Sequence, residues 1–157
     1  RSDIERKRLF GLSALARSDC AVGDGIYDTV ATAATYDRLV ELAHDILAAG
    51  YPVLVDAANL KSWQRKAFQE LAAARKLPFV ILACTAPEVV LQARLASRQA
   101  AGCDASEADY AVLTQQLRTQ EALTLEEEAC CLSIDTTRPF PEDLPGRLLG
   151  IQVLGNH

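Results

Sequence analysis

An α/β layer fold built around a parallel sheet is what this 157-residue sequence predicts. Three observations predict it. Short apolar runs rich in β-branched residues recur along the chain, too short for helices and of the kind found in strands buried on both faces. Between them lie longer segments whose apolar residues repeat at helical spacing. Each apolar run also ends abruptly in a polar residue, as strands do where they open into the ligand-binding edge of such a sheet. Strands alternating with helices point to βα units rather than to a sandwich or a bundle.

The elements follow in order. Asp3 to Leu12 predicts a short, very basic helix, followed by a loop through Gly25. Thr29 to Ala49 carries Leu39, Val40, Leu42, Ala43, Ile46 and Leu47 at helical spacing and stops at Gly50. Val53–Val55 predicts a strand that ends in Asp56, and a helix follows from about Ser62 to Arg75. Pro78 opens a second strand, Phe79–Cys84. Thr85-Ala86-Pro87-Glu88 is a helix start, with Pro and an acidic residue suited to a first turn, and that helix reaches about Ala101. Gly102–Ala105 breaks it, and Ser106 begins another that reaches about Arg118. The third strand, Cys130–Ile134, ends in Asp135-Thr136-Thr137, and a short helix at about 144–149 lies within an otherwise irregular tail, about 139–157.

Composition narrows the function classes. Half of the residues are hydrophobic, enough for one globular domain with a core. No apolar stretch approaches the ~20 residues of a membrane span and no signal-peptide pattern is present, so membrane and secretory readings are disfavoured. A net charge of −5 leaves no electrostatic footprint for nucleic acid. The five cysteines lack metal-ligand spacing, and Cys84 and Cys130-Cys131 sit in apolar runs as small hydrophobes, which fits a reducing cytoplasm. Glu126-Glu127-Glu128 is expected to face water and His44 to be a surface or packing residue. The chain contains no Met and begins Arg1-Ser2-Asp3, and it is expected to be a piece of a longer protein.

Asp56, Thr85 and Asp135-Thr136 each follow directly on a predicted strand, as Asp3 does if Arg1-Ser2 end an earlier one. Polar residues would thus gather along one sheet edge, where α/β active sites form. Asp56 and Asp3 would equally serve as caps of the turn or helix that follows each.

The segments Ser2–Leu9, Val53–Leu60, Arg94-Leu95-Ala96-Ser97-Arg98 and Asp104–Asp109, in this order, resemble the P-loop kinases of the gluconate-kinase and polynucleotide-kinase type. They are similar to bacterial ATPase-like domains often fused behind an aminoglycoside-phosphotransferase-like domain. The likeness covers about residues 1–137. It implies a three-layer P-loop NTPase-like sheet with helices on both faces, a helical lid over about 94–118, and ATP and Mg²⁺ as cofactors. The implied activity is phosphoryl transfer from ATP to a hydroxyl of a small-molecule acceptor, with no nucleic acid or membrane as partner. By resemblance Asp3, in Asp-x-x-Arg, accepts the proton of the attacking hydroxyl and Arg6 holds the acceptor. Arg94 and Arg98, four apart on one helix face, supply cations to the transferring phosphate. Asp56 lies on the Mg²⁺ side. Tyr36 and Arg38 line the acceptor pocket, and Thr136, Thr137 and Arg138 lie toward the adenine. Read without the family, Arg94 and Arg98 are a solvated basic face.

One departure stands out. A phosphate loop needs Gly-x-x-x-x-Gly-Lys-Ser/Thr, yet none of the four lysines (Lys7, Lys61, Lys66, Lys76) follows a glycine. The expectation is therefore a partial P-loop kinase domain over 1–157, without the phosphate loop and the first strand or strands, and inactive by itself. A non-catalytic nucleotide-binding or regulatory module is the alternative reading, and a polynucleotide 5′-kinase a weaker one.

Overall fold

The computed structural model describes residues 1–18, 20, 23–102 and 104–149. Its elements are α1 (Ser2–Leu9), a 3₁₀ helix (Gly25–Tyr27), α2 (Thr29–Ala48), α3 (Ser62–Ala74), β1 (Ile81–Thr85), α4 (Glu88–Ala101), α5 (Tyr110–Thr119), α6 (Leu125–Ala129), β2 (Cys131–Asp135) and α7 (Leu144–Leu149). They form two compact units, residues 1–60 with 95–120, and 61–94 with 121–157. No helix among the described residues is long and apolar enough to cross a membrane.

In the first unit α1 packs on α2. The buried residues Ala31, Thr35, Leu39 and Ala43 recur every four positions along α2, so they form one stripe of that helix. Asp28 starts α2 by accepting the N–H of Ala31 at 2.6 Å. Gly50 ends it with a φ of 83°, and the N–H groups of Gly50 and Tyr51 return to the carbonyls of Leu47 and Ile46. That pairing is a Schellman motif, and it requires a left-handed residue where Gly50 sits.

In the second unit β1 and β2 lie parallel, with Ile81 beside Cys131 and Thr85 beside Asp135. Ile134 and Cys130 are buried here with Phe68 and Ala72 of α3 and Leu144 of α7. The same Schellman geometry closes α3, but Lys76 occupies the left-handed position with a φ of 53°.

The two observed strands bear out the parallel α/β reading. Five expectations need correction. Val53–Val55 pairs with no strand among the described residues, and Leu54 is 78% exposed. An apolar run becomes a strand only beside a hydrogen-bonding neighbour, and none is present at this segment. Helix α5 starts at Tyr110 rather than Ser106, because the carboxylate that caps it is Asp109, accepting the N–H of Val112 at 2.9 Å. The basic helix α1 ends at Leu9 rather than Leu12, where Gly11 takes a left-handed φ of 69°. Cys84 is exposed, because β1 loses its cover toward its carboxyl end, where Cys84 and Thr85 are both exposed, whereas Cys130 is buried. Glu127 does not face water. It lies in α6, where it pairs with Arg65. The short helix expected at 144–149 is present as α7, and residues 150–157 of the expected irregular tail lie outside the described residues.

Candidate functional site

The first unit assembles the Asp-x-x-Arg residues. Asp3 is in the first turn of α1 and does not cap it, since Arg1 holds the N-cap position. The Asp3 carboxyl is half-buried, and burial raises its pKa above the ordinary value while Arg1 and Arg6 pull against that rise. Asp56 and Asp104 also act on it electrostatically, as like charges that raise it further.

Arg6 is buried rather than solvated. Its guanidinium donates to the carbonyl of Ile26 at 2.7 Å and to the hydroxyl of Thr32 at 3.2 Å, and it lies 5.1 Å from the centre of the Tyr27 ring. This stacking over an aromatic face is a cation–π contact. Burial pushes the Tyr27 hydroxyl up to about 12, and it lowers the pKa of Arg6. Arg6 thus fastens α1 to the 3₁₀ helix and α2.

Asp56 is exposed and pairs with Arg1 at 3.1 Å, while its carbonyl accepts the N–H of Ser2 at 2.9 Å. Arg1 reaches Asp104 as well, also at 3.1 Å. The backbone N–H of Ser106 and then Arg1 hold Asp104 below the usual carboxylate range. Arg1 therefore bridges the start of α1, the Asp56 segment and the loop after α4. Sequence reasoning missed this bridge, because its three members are distant in the chain.

Lys7 was missed for the same reason. It is only 1% exposed, and an ammonium so deeply placed must be neutralised. It pairs with Glu107 at 3.0 Å and donates to the carbonyls of Ala105 at 2.8 Å and Ala14 at 3.4 Å. Glu107 in turn accepts the N–H and hydroxyl of Ser18. Burial pushes Glu107 up, but the Ser18 N–H, Lys7 and the Ser18 hydroxyl together bring it below its ordinary value. A cavity of about 120 Å³ opens beside this pair, with Lys7, Arg17, Arg98, Asp104 and Glu107 in its wall.

Tyr36 is buried and accepts the backbone N–H of Asn59 at 3.1 Å, which ties α2 to the residues following Asp56. Arg38 pairs with Glu41 one turn along its own helix at 3.0 Å. Neither residue lines the cavity.

In the second unit the polar residues at the carboxyl ends of the two strands do come together. Thr136 donates through its hydroxyl to the Thr85 carbonyl at 3.0 Å. Arg94 donates to the Thr136 hydroxyl at 2.7 Å and to its carbonyl at 2.6 Å. Asp135 accepts from the N–H and hydroxyl of Thr137 and pairs with Arg138 at 3.3 Å. Arg94 is thus spent on the loop after β2. The Arg98 side chain makes no hydrogen bond or ion pair with a described residue, and its charge acts on Asp104 across the cavity wall.

Among the described residues no three side chains of His, Cys, Asp or Glu converge as a metal cage. Asp56, the carboxylate expected on the Mg²⁺ side, is exposed and pairs with Arg1.

No curated protein and no solved structure matches the chain. The family model described as AAA domain matches residues 1–123, well over half of the sequence. That span takes in Asp3, Arg6, Asp56, Arg94, Arg98 and the cavity wall, and a small parallel sheet with flanking helices accords with the nucleotide-binding, P-loop NTPase-like class. The chain belongs to the AAA domain family.

Proposed function

We propose that the chain is the acceptor-side and lid portion of a P-loop phosphotransferase that moves a phosphoryl group from ATP to a hydroxyl of a small molecule. The observation that carries this reading is Asp3. It sits in the matched region, half-buried, with its pKa raised by burial and two arginines acting on it. A carboxylate with a raised pKa is a stronger base than an ordinary one, and it remains ionised when the raised value still lies below working pH. In this reading Asp3 takes the proton of the attacking hydroxyl. Arg98, exposed at the cavity wall, meets the charge of the transferring group, as phosphoryl transfer requires of a positioned cation.

The remaining assignments are adjusted to the contacts. Arg6 orders the acceptor side by holding the 3₁₀ helix rather than by gripping the acceptor with both arms, and Tyr36 and Arg38 support that region. Arg94 shapes the loop of Thr136, Thr137 and Arg138, on the adenine side, rather than touching phosphate. Mg²⁺, if bound with the nucleotide, would supply charge neutralisation, and Asp56 is the residue that would hold it. The lid comprises the end of α4, the loop 102–109 and α5. None of the eight glycines here precedes a lysine, so residues 1–157 do not themselves supply the Gly-Lys phosphate grip that the reaction needs.

The commitment of Arg6 and Arg94 to carbonyl and hydroxyl acceptors favours a second reading, a non-catalytic nucleotide-binding module, in which these arginines only hold the fold. A screen of the parent protein against sugars, nucleosides and aminoglycosides separates the two. Transfer of labelled γ-phosphate to at least one hydroxyl compound is the expected result. ATP binding with no transfer to any of the three classes would leave the module reading standing instead.

A further inference from the structure

We infer that Arg1 is a positioning residue for the transfer: by occupying Asp104 it keeps that carboxylate from capturing Arg98, the cation assigned to the transferring group. This rests on the phosphotransferase reading for the role of Arg98, but not for the contest between the two arginines.

One carboxylate and two arginines define the contest. Asp104 accepts from Arg1 at 3.1 Å, and Asp104 and Arg98 stand in the wall of the same cavity. Arg98 also acts on Asp104 through its charge, more weakly than Arg1 does. Both arginines are exposed, so each could turn toward a carboxylate within reach. Arg1 is the better placed of the two. Its Nε pairs with Asp56 at 3.1 Å while its Nη2 reaches Asp104, and the forked guanidinium serves both carboxylates at once. The N–H of Ser2 on the Asp56 carbonyl fixes the backbone beside it. Asp104 is oriented too, since the oxygen that meets Arg1, Oδ1, also accepts the N–H of Ser106 at 2.8 Å. Little side-chain freedom is then left to lose when Arg1 and Asp104 pair, whereas Arg98 would have to be ordered first.

The surrounding charge raises the stakes. Asp3, Asp56 and Asp104 act on one another electrostatically, and Arg1 acts on all three. Without Arg1 this acidic group loses its shared cation, and Arg98 is the next one that acts on Asp104. An arginine paired with a carboxylate has its charge neutralised and its donors occupied, so it no longer stabilises charge developing on a phosphoryl group. Arg94, committed to the hydroxyl and carbonyl of Thr136, shows how an arginine of the same helix is spent in this way. Arg1 thus protects a cation that it does not touch.

Steady-state kinetics of the parent protein, with the hydroxyl acceptor found by the screen, test this through a rescue. Arg1→Gln should lower kcat by about fivefold and leave the KM for ATP unchanged, the effect of an exposed ion pair that withdraws a transition-state cation. Adding Asp104→Asn should return kcat to within about twofold of the parent, because the capturing charge is gone while the Asn oxygen still accepts the Ser106 N–H. Arg1→Lys, which leaves a cation beside Asp104, should keep most of the turnover. A double variant as slow as Arg1→Gln would reveal a plain tether and overturn the inference. A rise in KM alone, or an equal loss in Arg1→Lys, overturns it as well.

A readout that needs no turnover comes from ¹⁵N NMR of the 157-residue chain. The Arg98 Nε–H should exchange with water more slowly in Arg1→Gln and regain its original rate once Asp104→Asn is added. An Arg98 signal indifferent to both substitutions overturns the inference. The two proposals fail separately: a parent that transfers phosphate to no acceptor breaks the enzyme reading, and the Arg98 signal still decides the pairing.

Discussion

Among the described residues each unit buries one ion pair, and the two pairs are built differently. In the second unit Arg65 and Glu127 meet through two bonds, 2.7 and 3.0 Å. Arg65 also donates to the carbonyls of Glu121 and Ala122, and Glu127 accepts the N–H of Thr124 to complete the start of α6. Every arm of that pair ends on another part of the fold, in the manner of a closed structural clamp. In the first unit Lys7 offers a single ammonium to Glu107 and to the carbonyls of Ala105 and Ala14, and the pair stands at the wall of a cavity that Arg17 and Arg98 also line. The same burial of opposite charges thus closes one region and leaves the other beside an open cavity.

Mutation should separate the two pairs. Removing one partner from a buried pair strands the other charge, which costs on the order of 3–5 kcal/mol. Arg65→Ala is expected at about 4 kcal/mol, because it also strands two carbonyls. Lys7→Ala also strands two carbonyls, those of Ala105 and Ala14, but is expected nearer to about 3 kcal/mol, since Glu107 keeps both the N–H and the hydroxyl of Ser18 whereas Glu127 keeps only the N–H of Thr124. Urea unfolding measures both, and the reverse order would show that the first unit is held more tightly than its open wall implies.

Acid should act on both pairs alike. Glu107 and Glu127 are held below the ordinary value of 4.5, so their stabilisation is present above that pH and is lost as pH falls through the lower, folded value.

A smaller effect lies at a helix end. Lys76 adopts the left-handed backbone that Gly50 adopts at the end of α2, and a side chain there is strained. Lys76→Gly should stabilise the chain by about 1 kcal/mol. A lower melting temperature for this variant would argue against the Schellman geometry at α3.

Asp3 gives the smallest effect on stability, and one of opposite sign to the glutamates. Its raised pKa means that the folded chain binds its proton more tightly than the unfolded one. Stability therefore falls as pH rises from the ordinary value of 3.8 through the folded value. Asp3→Asn should melt slightly higher than the parent at neutral pH, with the difference vanishing below pH 3.8. A melting point that drops at neutral pH would mean that Asp3 stabilises the fold rather than straining it.

The sequence disclosed what local physics controls. The four-residue repeat of α2 and its stop at Gly50 were readable, as were β1 and β2, whose apolar runs have partners in the chain. Val53–Val55 carries the same signal but no partner strand, and no pattern within three residues can report that. Helix α6 was missed because Glu126-Glu127-Glu128 resembles a solvated charge run. Its one local signal was Thr124 three residues before Glu127, a capping box. Of the residues proposed for the site, Asp3, Asp56 and Arg98 were named through motif order. Arg1 and Lys7 were not, because what defines them is a contact with residues about 100 positions away.

The central claim is that Asp3 is the proton acceptor of a phosphoryl transfer, and Asp3→Asn in the parent protein tests it most directly. Using the acceptor identified by the screen, turnover of labelled ATP should fall by about 10²–10⁴, the usual worth of a positioned base, while ATP affinity is unchanged. Unchanged turnover in a folded Asp3→Asn protein would contradict the account.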